Sequence, residues 1–161
     1  MGGSHGRMVG RLTAVQKLIR YLRAETGQSM VELALTLPIL VFGLLGGADL
    51  ARAFALQIAV ENGSRAGAES YAIDSTPTNA EAQATTIAEI NRTPTANATN
   101  ANVTVTKAQA DGVTACVSPP TVATPCFVSV RVTYPWSTIT AWPLVPNSGT
   151  FDRTTTIRTF Y

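Results

Sequence analysis

The sequence predicts an α+β chain: a long N-terminal membrane-spanning helix that continues into a stalk, then a short helix packed on a small antiparallel β-sheet. Three observations carry that prediction. An uncharged run, Leu33–Ala48, follows a basic leader. Thr78-Asn79-Ala80-Glu81 has the form of a helix capping box. Val128, Val130, Val132 and Tyr134 alternate with Ser129, Arg131 and Thr133, the period of a half-buried strand. With 161 residues, the chain has room for one ordinary domain plus an appendage. Its 14% of charged residues beside 45% hydrophobic ones excludes disorder by charge excess. The expected division is a basic cytoplasmic leader at 1–27, a transmembrane helix and stalk at 28–74, and an exported α+β domain at 75–161.

The leader carries Arg7, Arg11, Lys17, Arg20 and Arg23 against one acid, Glu25. From Ser64 onward six acids face six bases, which leaves no basic surface for nucleic acid. As a helix, the sixteen residues of Leu33–Ala48 would be about 24 Å long, a little short of the ~30 Å hydrocarbon core. Continuing to Val60 gives 28 residues and about 42 Å, with Asp49 and Arg52 at i and i+3 to neutralise each other. Two other readings compete: a buried helix of a soluble protein, and a secretory signal peptide with weak Ala-x-Ala cleavage sites such as Ala51-Arg52-Ala53. The basic flank favours an N-terminus kept in the cytoplasm and a C-terminal domain sent outside.

Within the helix, Pro38 lacks an N–H and should kink it or leave a carbonyl free. Gly43 and Gly47 form a small-xxx-small pair through which another helix can approach. Glu61, Arg65 and Glu69, four residues apart, read as a solvated face running to about Ala72. Ser75-Thr76-Pro77 ends the helix. The capping box then opens a second helix from Asn79 to about Asn91, with Ala80, Ala84, Ile87 and Ala88 as its apolar stripe. Strands are expected at Asn102–Lys107, Phe127–Tyr134 and Phe151–Phe160. Trp136, Trp142 and Leu144, with Pro135, Pro143 and Pro146, form an aromatic and proline-rich connection that caps the sheet's core or offers a partner surface.

Cys116 and Cys126 close a loop rich in turn formers. Outside the membrane they read as a disulfide contributing about 2–3 kcal/mol; the alternative is a pair of free thiols. His5 is the chain's one histidine and lies in the leader, so no metal site and no cofactor is expected, and no C-x-x-C pattern suggests redox chemistry. Gly63-Ser64-Arg65-Ala66-Gly67 lacks the spacing of a nucleophile elbow, and no catalytic residue is assigned. Four N-x-S/T triplets, at Asn62, Asn91, Asn97 and Asn102, match the chance yield of a chain rich in Asn and Thr.

The most informative residues are Gly27-Gln28-Ser29-Met30-Val31-Glu32, directly before the apolar run. By itself Glu32 reads as a headgroup-level acid favoured by the positive end of the helix dipole. A glycine ending a basic leader, with glutamate fifth after it and an apolar helix next, resembles the processing site of type IV prepilins. More closely, the chain resembles the TadE-like family of minor pilins, or pseudopilins, of tight-adherence (Tad, or Flp) pilus systems. Gly27–Phe54 carries most of the likeness, with weaker support from Glu61–Ala68 (ENGSRAGA) and from VSVRVTYPW and TTTIRTF within Val128–Phe160.

The resemblance implies a pilin-like fold and cleavage between Gly27 and Gln28 by a membrane prepilin peptidase. Glu32 would then neutralise the new terminal amine of a neighbouring subunit. It also implies residence in the bacterial inner membrane, possible incorporation in a surface pilus, and other pilin-like subunits and pilus assembly proteins as partners. The competing function is an unprocessed, single-pass periplasmic adapter that recruits pilus or secretion assembly proteins.

Overall fold

The computed structural model describes residues 27–160; the expected leader, Gly27 apart, lies outside the described residues. In chain order come helix α1 (Gln28–Ile73), helix α2 (Asn79–Ile90), a 3₁₀ turn at Ala98–Asn100, and strands β1 (Asn102–Gln109), β2 (Cys126–Ser137) and β3 (Ser148–Arg158). The expected α+β class holds. The chain divides within α1 into two compact units, one ending at Leu45 and the other beginning at Gly46.

In the first unit, α1 is apolar and its side chains are exposed: Leu35 at 70%, Ile39 at 72% and Leu44 at 75%. Pro38 sits inside a continuous helix. Its missing N–H removes one backbone bond. The neighbouring Thr36 hydroxyl donates back to the carbonyls of Glu32 (2.9 Å) and Leu33 (3.2 Å). α1 is long and apolar enough to cross a membrane.

The second unit is a sheet with helices on one face. β2 is central, pairing antiparallel with β1 (Val105 opposite Val130) and with β3 (Val130 opposite Thr155). The alternation read from the sequence is the one found: Val128, Val130 and Val132 are fully buried and Tyr134 nearly so, while Arg131 is exposed. Against that apolar face pack Leu56, Val60, Ala68, Tyr71 and Ala72 of α1, with Ala82 and Ile90 of α2. This half of α1 is therefore half of a protein core rather than a bare stalk. Glu61, Arg65 and Glu69 stay exposed, with Arg65 bonded to Glu69 at 2.7 Å.

The turn after α1 is an Asx type, in which Thr76 N–H donates to Asp74 Oδ1. The capping box forms as expected, the Thr78 hydroxyl accepting from Glu81 N–H and the Glu81 carboxylate accepting from Thr78 N–H. The apolar stripe assigned to α2 is corrected. Ala80, Ala84, Ile87 and Ala88 face solvent, and the buried side chains are Ala82, Thr86 and Ile90. Thr86 is counted polar in a sequence pattern, yet its hydroxyl donates to the Ala82 carbonyl at 2.8 Å. Satisfied in this way, it is buried without an orphaned donor.

Two glycines explain how close the helices lie. A Cβ on Gly63 would stand 2.7 Å from Ile90 Cγ1, and one on Gly67 would stand 2.9 Å from the Ala82 carbonyl oxygen and overlap the Thr86 hydroxyl. ENGSRAGA is thus a packing segment, in which Gly63, Ser64, Gly67 and Ala68 are buried.

β2 and β3 begin and end differently from expectation. β2 continues through Pro135 to Ser137, and β3 starts at Ser148. Pro135 is tolerated because β1 pairs no further along β2 than Thr133, so here β2 is an edge strand with no donor to lose on that side. Opposite Trp136 stands Gly149, where a Cβ would come within 2.7 Å of the indole nitrogen.

Cys116 and Cys126 are bridged, with their Cα atoms 5.5 Å apart. Cys126 is the first, fully buried residue of β2, so the bridge pins the β1–β2 connection to the sheet. That connection opens on a turn with Gly112 at φ +73°, a backbone conformation suited to glycine. There Asp111 accepts from Val113 N–H, Thr114 N–H and the Thr114 hydroxyl. These bonds, that of the Thr114 hydroxyl foremost, hold the Asp111 carboxyl below its usual range.

Candidate functional site

At the N-terminal junction α1 begins on Gln28, the residue after Gly27. Gln28, Glu32 and the apolar side chains between and after them, Met30 (71%), Val31 (60%) and Leu33 (55%), are exposed. Glu32 stands past the first turn, which holds no acid. The dipole benefit fades within that turn, so it does not account for a carboxylate at this position. Among the described residues the ion pairs are Arg52–Asp49, Arg65–Glu69, Arg92–Glu89 and Arg131–Asp152, and Glu32 is in none of them. Further along, Cβ atoms added at Gly43 and Gly47 would meet nothing within 4 Å.

A second cluster lies entirely within the second unit, at its first helical turns. Asp49 is only 7% exposed. Its carboxylate accepts from Ile139 N–H (2.9 Å), Thr140 N–H (3.3 Å) and Trp142 Nε1–H (3.2 Å), and from Arg52 at 3.2 Å. The Asp49–Arg52 pair was legible as i, i+3. The use of Asp49 to hold a loop ninety residues later was not, since nothing local names its partners.

The loop Thr138–Asn147 is closed on itself by Asn147. Its carbonyl accepts from Thr138 N–H at 2.9 Å, its side-chain oxygen accepts from Trp142 N–H at 2.6 Å, and its amide donates to the Trp142 carbonyl at 3.1 Å. The two tryptophans therefore divide the role assigned to them together. Trp136 packs against the sheet's core and stacks on Phe151, ring centres 5.7 Å apart and 15° from parallel. Trp142 lies over Gly46 instead, where an added Cβ would be 3.4 Å from the indole. Leu144 caps nothing and is 95% exposed. Beneath the loop is an apolar cavity of about 300 Å³ lined by Gly46, Leu50, Ala53, Trp136, Trp142 and Val145 among others.

Among the described residues no group of three or more His, Cys, Asp or Glu side chains is placed to hold a metal. Ser64 is engaged structurally, its hydroxyl donating to the Glu61 carbonyl and lying 2.8 Å from that of Thr155 on β3. On the wet face of the sheet Arg131 holds Asp152 through paired N–H bonds. That guanidinium keeps the Asp152 carboxyl below its usual range.

Fold and cluster together define a class: one apolar helix long enough to span a membrane, carrying a small disulfide-linked α+β domain on its C-terminal half. Residues 27–69 match the model of the family described as TadE-like protein. The match begins on the glycine before α1 and covers nearly all of that helix, so the likeness carried by Gly27–Phe54 and Glu61–Ala68 stands, while the strands lie outside it. No curated protein and no solved structure matches the chain.

Proposed function

We propose that this chain is a TadE-like pilin or pseudopilin, a structural or assembly subunit of a Tad (Flp) type IV-like pilus, cut by a prepilin peptidase between Gly27 and Gln28. The observation that carries the reading is that the TadE-like match starts at Gly27 and α1 begins on the next residue, Gln28. Cleavage there would free a helix whose first residue is its own N-terminus.

Glu32 then takes its role from what surrounds it. An exposed carboxylate among exposed apolar side chains is costly in lipid, and a neighbouring subunit's new amine at Gln28 offsets that cost by pairing with it. The helix sits in the inner membrane with the sheet outside. Its exposed apolar residues face lipid before assembly and like helices after it. Gly43 and Gly47 give those helices a place to approach closely, and Pro38 leaves a carbonyl for a neighbour to satisfy. Nothing in this role requires catalysis.

The test is the N-terminal peptide of the full chain, read by mass spectrometry after expression with and without a cognate prepilin peptidase. A peptidase-dependent start at Gln28 is expected. An intact leader under both conditions would overturn processing and favour a membrane-anchored adapter.

A further inference from the structure

We propose that the loop Thr138–Asn147 is a lipid-surface anchor, whose tip residues Ile139, Leu144 and Val145 enter the outer interface of the membrane while Asp49 holds the loop at that level. This rests on α1 being the membrane span. Leu56, Ala59 and Val60 are taken up by the sheet's core, so the lipid-facing part of the helix ends before them. From Gln28 to Asp49 the rise is about 31 Å, close to the ~30 Å hydrocarbon thickness. The loop is bonded to the helix at that end.

The loop's chemistry suits lipid. From Ser137 to Ser148 there is no charged residue. Ile139 is 71%, Leu144 95% and Val145 60% exposed, and Leu50 and Phe54 of α1 are also exposed, at 58% and 56%. Entering the interface would take this apolar surface out of water, which is favourable. Pro143 and Pro146 bring no N–H into the interface. Trp142 has the amphipathic character of interfacial aromatic residues, its indole N–H satisfied by Asp49. Three N–H donors converging on one carboxylate fix the loop in place, so the tip needs little further ordering to insert.

The experiment uses the full chain in phosphatidylcholine vesicles brominated near the glycerol end of the acyl chains. Trp136→Phe keeps a ring against Phe151 and leaves Trp142 as the sole tryptophan. Its emission is expected to be quenched by brominated lipid and shielded from aqueous iodide. Leu144→Asp in that background should cut the lipid quenching by roughly half or more, with the domain's melting temperature unchanged. A parallel reporter, Phe42→Trp with both native tryptophans replaced by Phe, reads insertion of the span itself.

If Phe42→Trp is quenched and Trp142 is instead open to iodide, the loop is not an anchor, although the span reading survives. If neither is quenched by lipid, both readings fall. Shielding of Trp142 from both quenchers that grows with protein density would overturn the proposal in favour of a second copy of the chain.

Discussion

Residues 28–45 and 46–73 belong to one helix, yet they meet different surroundings. Leu40 is 58% and Leu44 75% exposed, whereas Leu56 is 4% and Val60 0%. The glycines change along the helix too. Gly43, and Gly47 just past the boundary, have open space where a side chain would be, and Gly63 and Gly67 further on have Ile90, Thr86 and the Ala82 carbonyl. A continuous helix can thus serve two purposes without any change in backbone. Its second half is stabilised by its own sheet, and its first half leaves its apolar surface to whatever surrounds the protein.

The sharpest way to break that contrast is to make one substitution in each half. Leu56→Ala removes a buried side chain and should cost about 2–5 kcal/mol, a large drop in the melting temperature of the full chain in detergent. Leu40→Ala should leave that transition in place. Equal effects would show that the two halves share one core. Next in size is Cys116→Ser, which frees the β1–β2 connection and should cost about 2–3 kcal/mol under oxidising conditions, with no difference from the native chain once both are reduced.

Gly67→Ala follows. Overpacking typically costs about 1–3 kcal/mol, partly offset by the ~1 kcal/mol that alanine gains over glycine in a helix. The same change at Gly43 should not lower the domain's transition. It should instead weaken any association between copies that uses that face, measured by crosslinking in the membrane.

The extent to which the sequence foretold this arrangement follows from how local each cause is. The apolar run, the capping box at Thr78 and Glu81, and the alternation along Val128–Tyr134 are set by neighbouring residues, and all three are found. The buried stripe of α2 depends on what faces it: Thr86 is inside because Gly63 and Gly67 let the helices meet and because its hydroxyl bonds within its own helix. Pro135 in β2 depends on where β1 stops. The Asp49 latch depends on a loop closed by Asn147, and a residue whose partners lie ninety positions away leaves only its own anomaly in the sequence: an acid just past an uncharged span. The Gly27–Glu32 junction was read from a resemblance rather than from charge or hydropathy, and what stands there is a family match starting at Gly27 and a helix starting at Gln28.

The smallest effect expected is electrostatic and belongs to the sheet's wet face, opposite the core. The Arg131 guanidinium holds Asp152 below the ordinary carboxyl range, so folding favours the ionised form. A carboxylate of this kind stabilises the fold above its unfolded pKa of about 3.9, and that contribution is lost as pH falls through the lower folded value. Both groups are substantially exposed, so the contribution should be modest and screened by salt. Melting temperature against pH should therefore show native chain and Asp152→Asn apart near neutrality and converging in the acid limb, with the separation shrinking at high ionic strength. Asp111→Asn should show the same direction for a different reason: its ionised form is held by the Thr114 hydroxyl and by two backbone N–H groups, a set of neutral donors on which salt has less purchase. A salt response of equal size in the two variants would sink the assignment of Asp152 to its arginine partner.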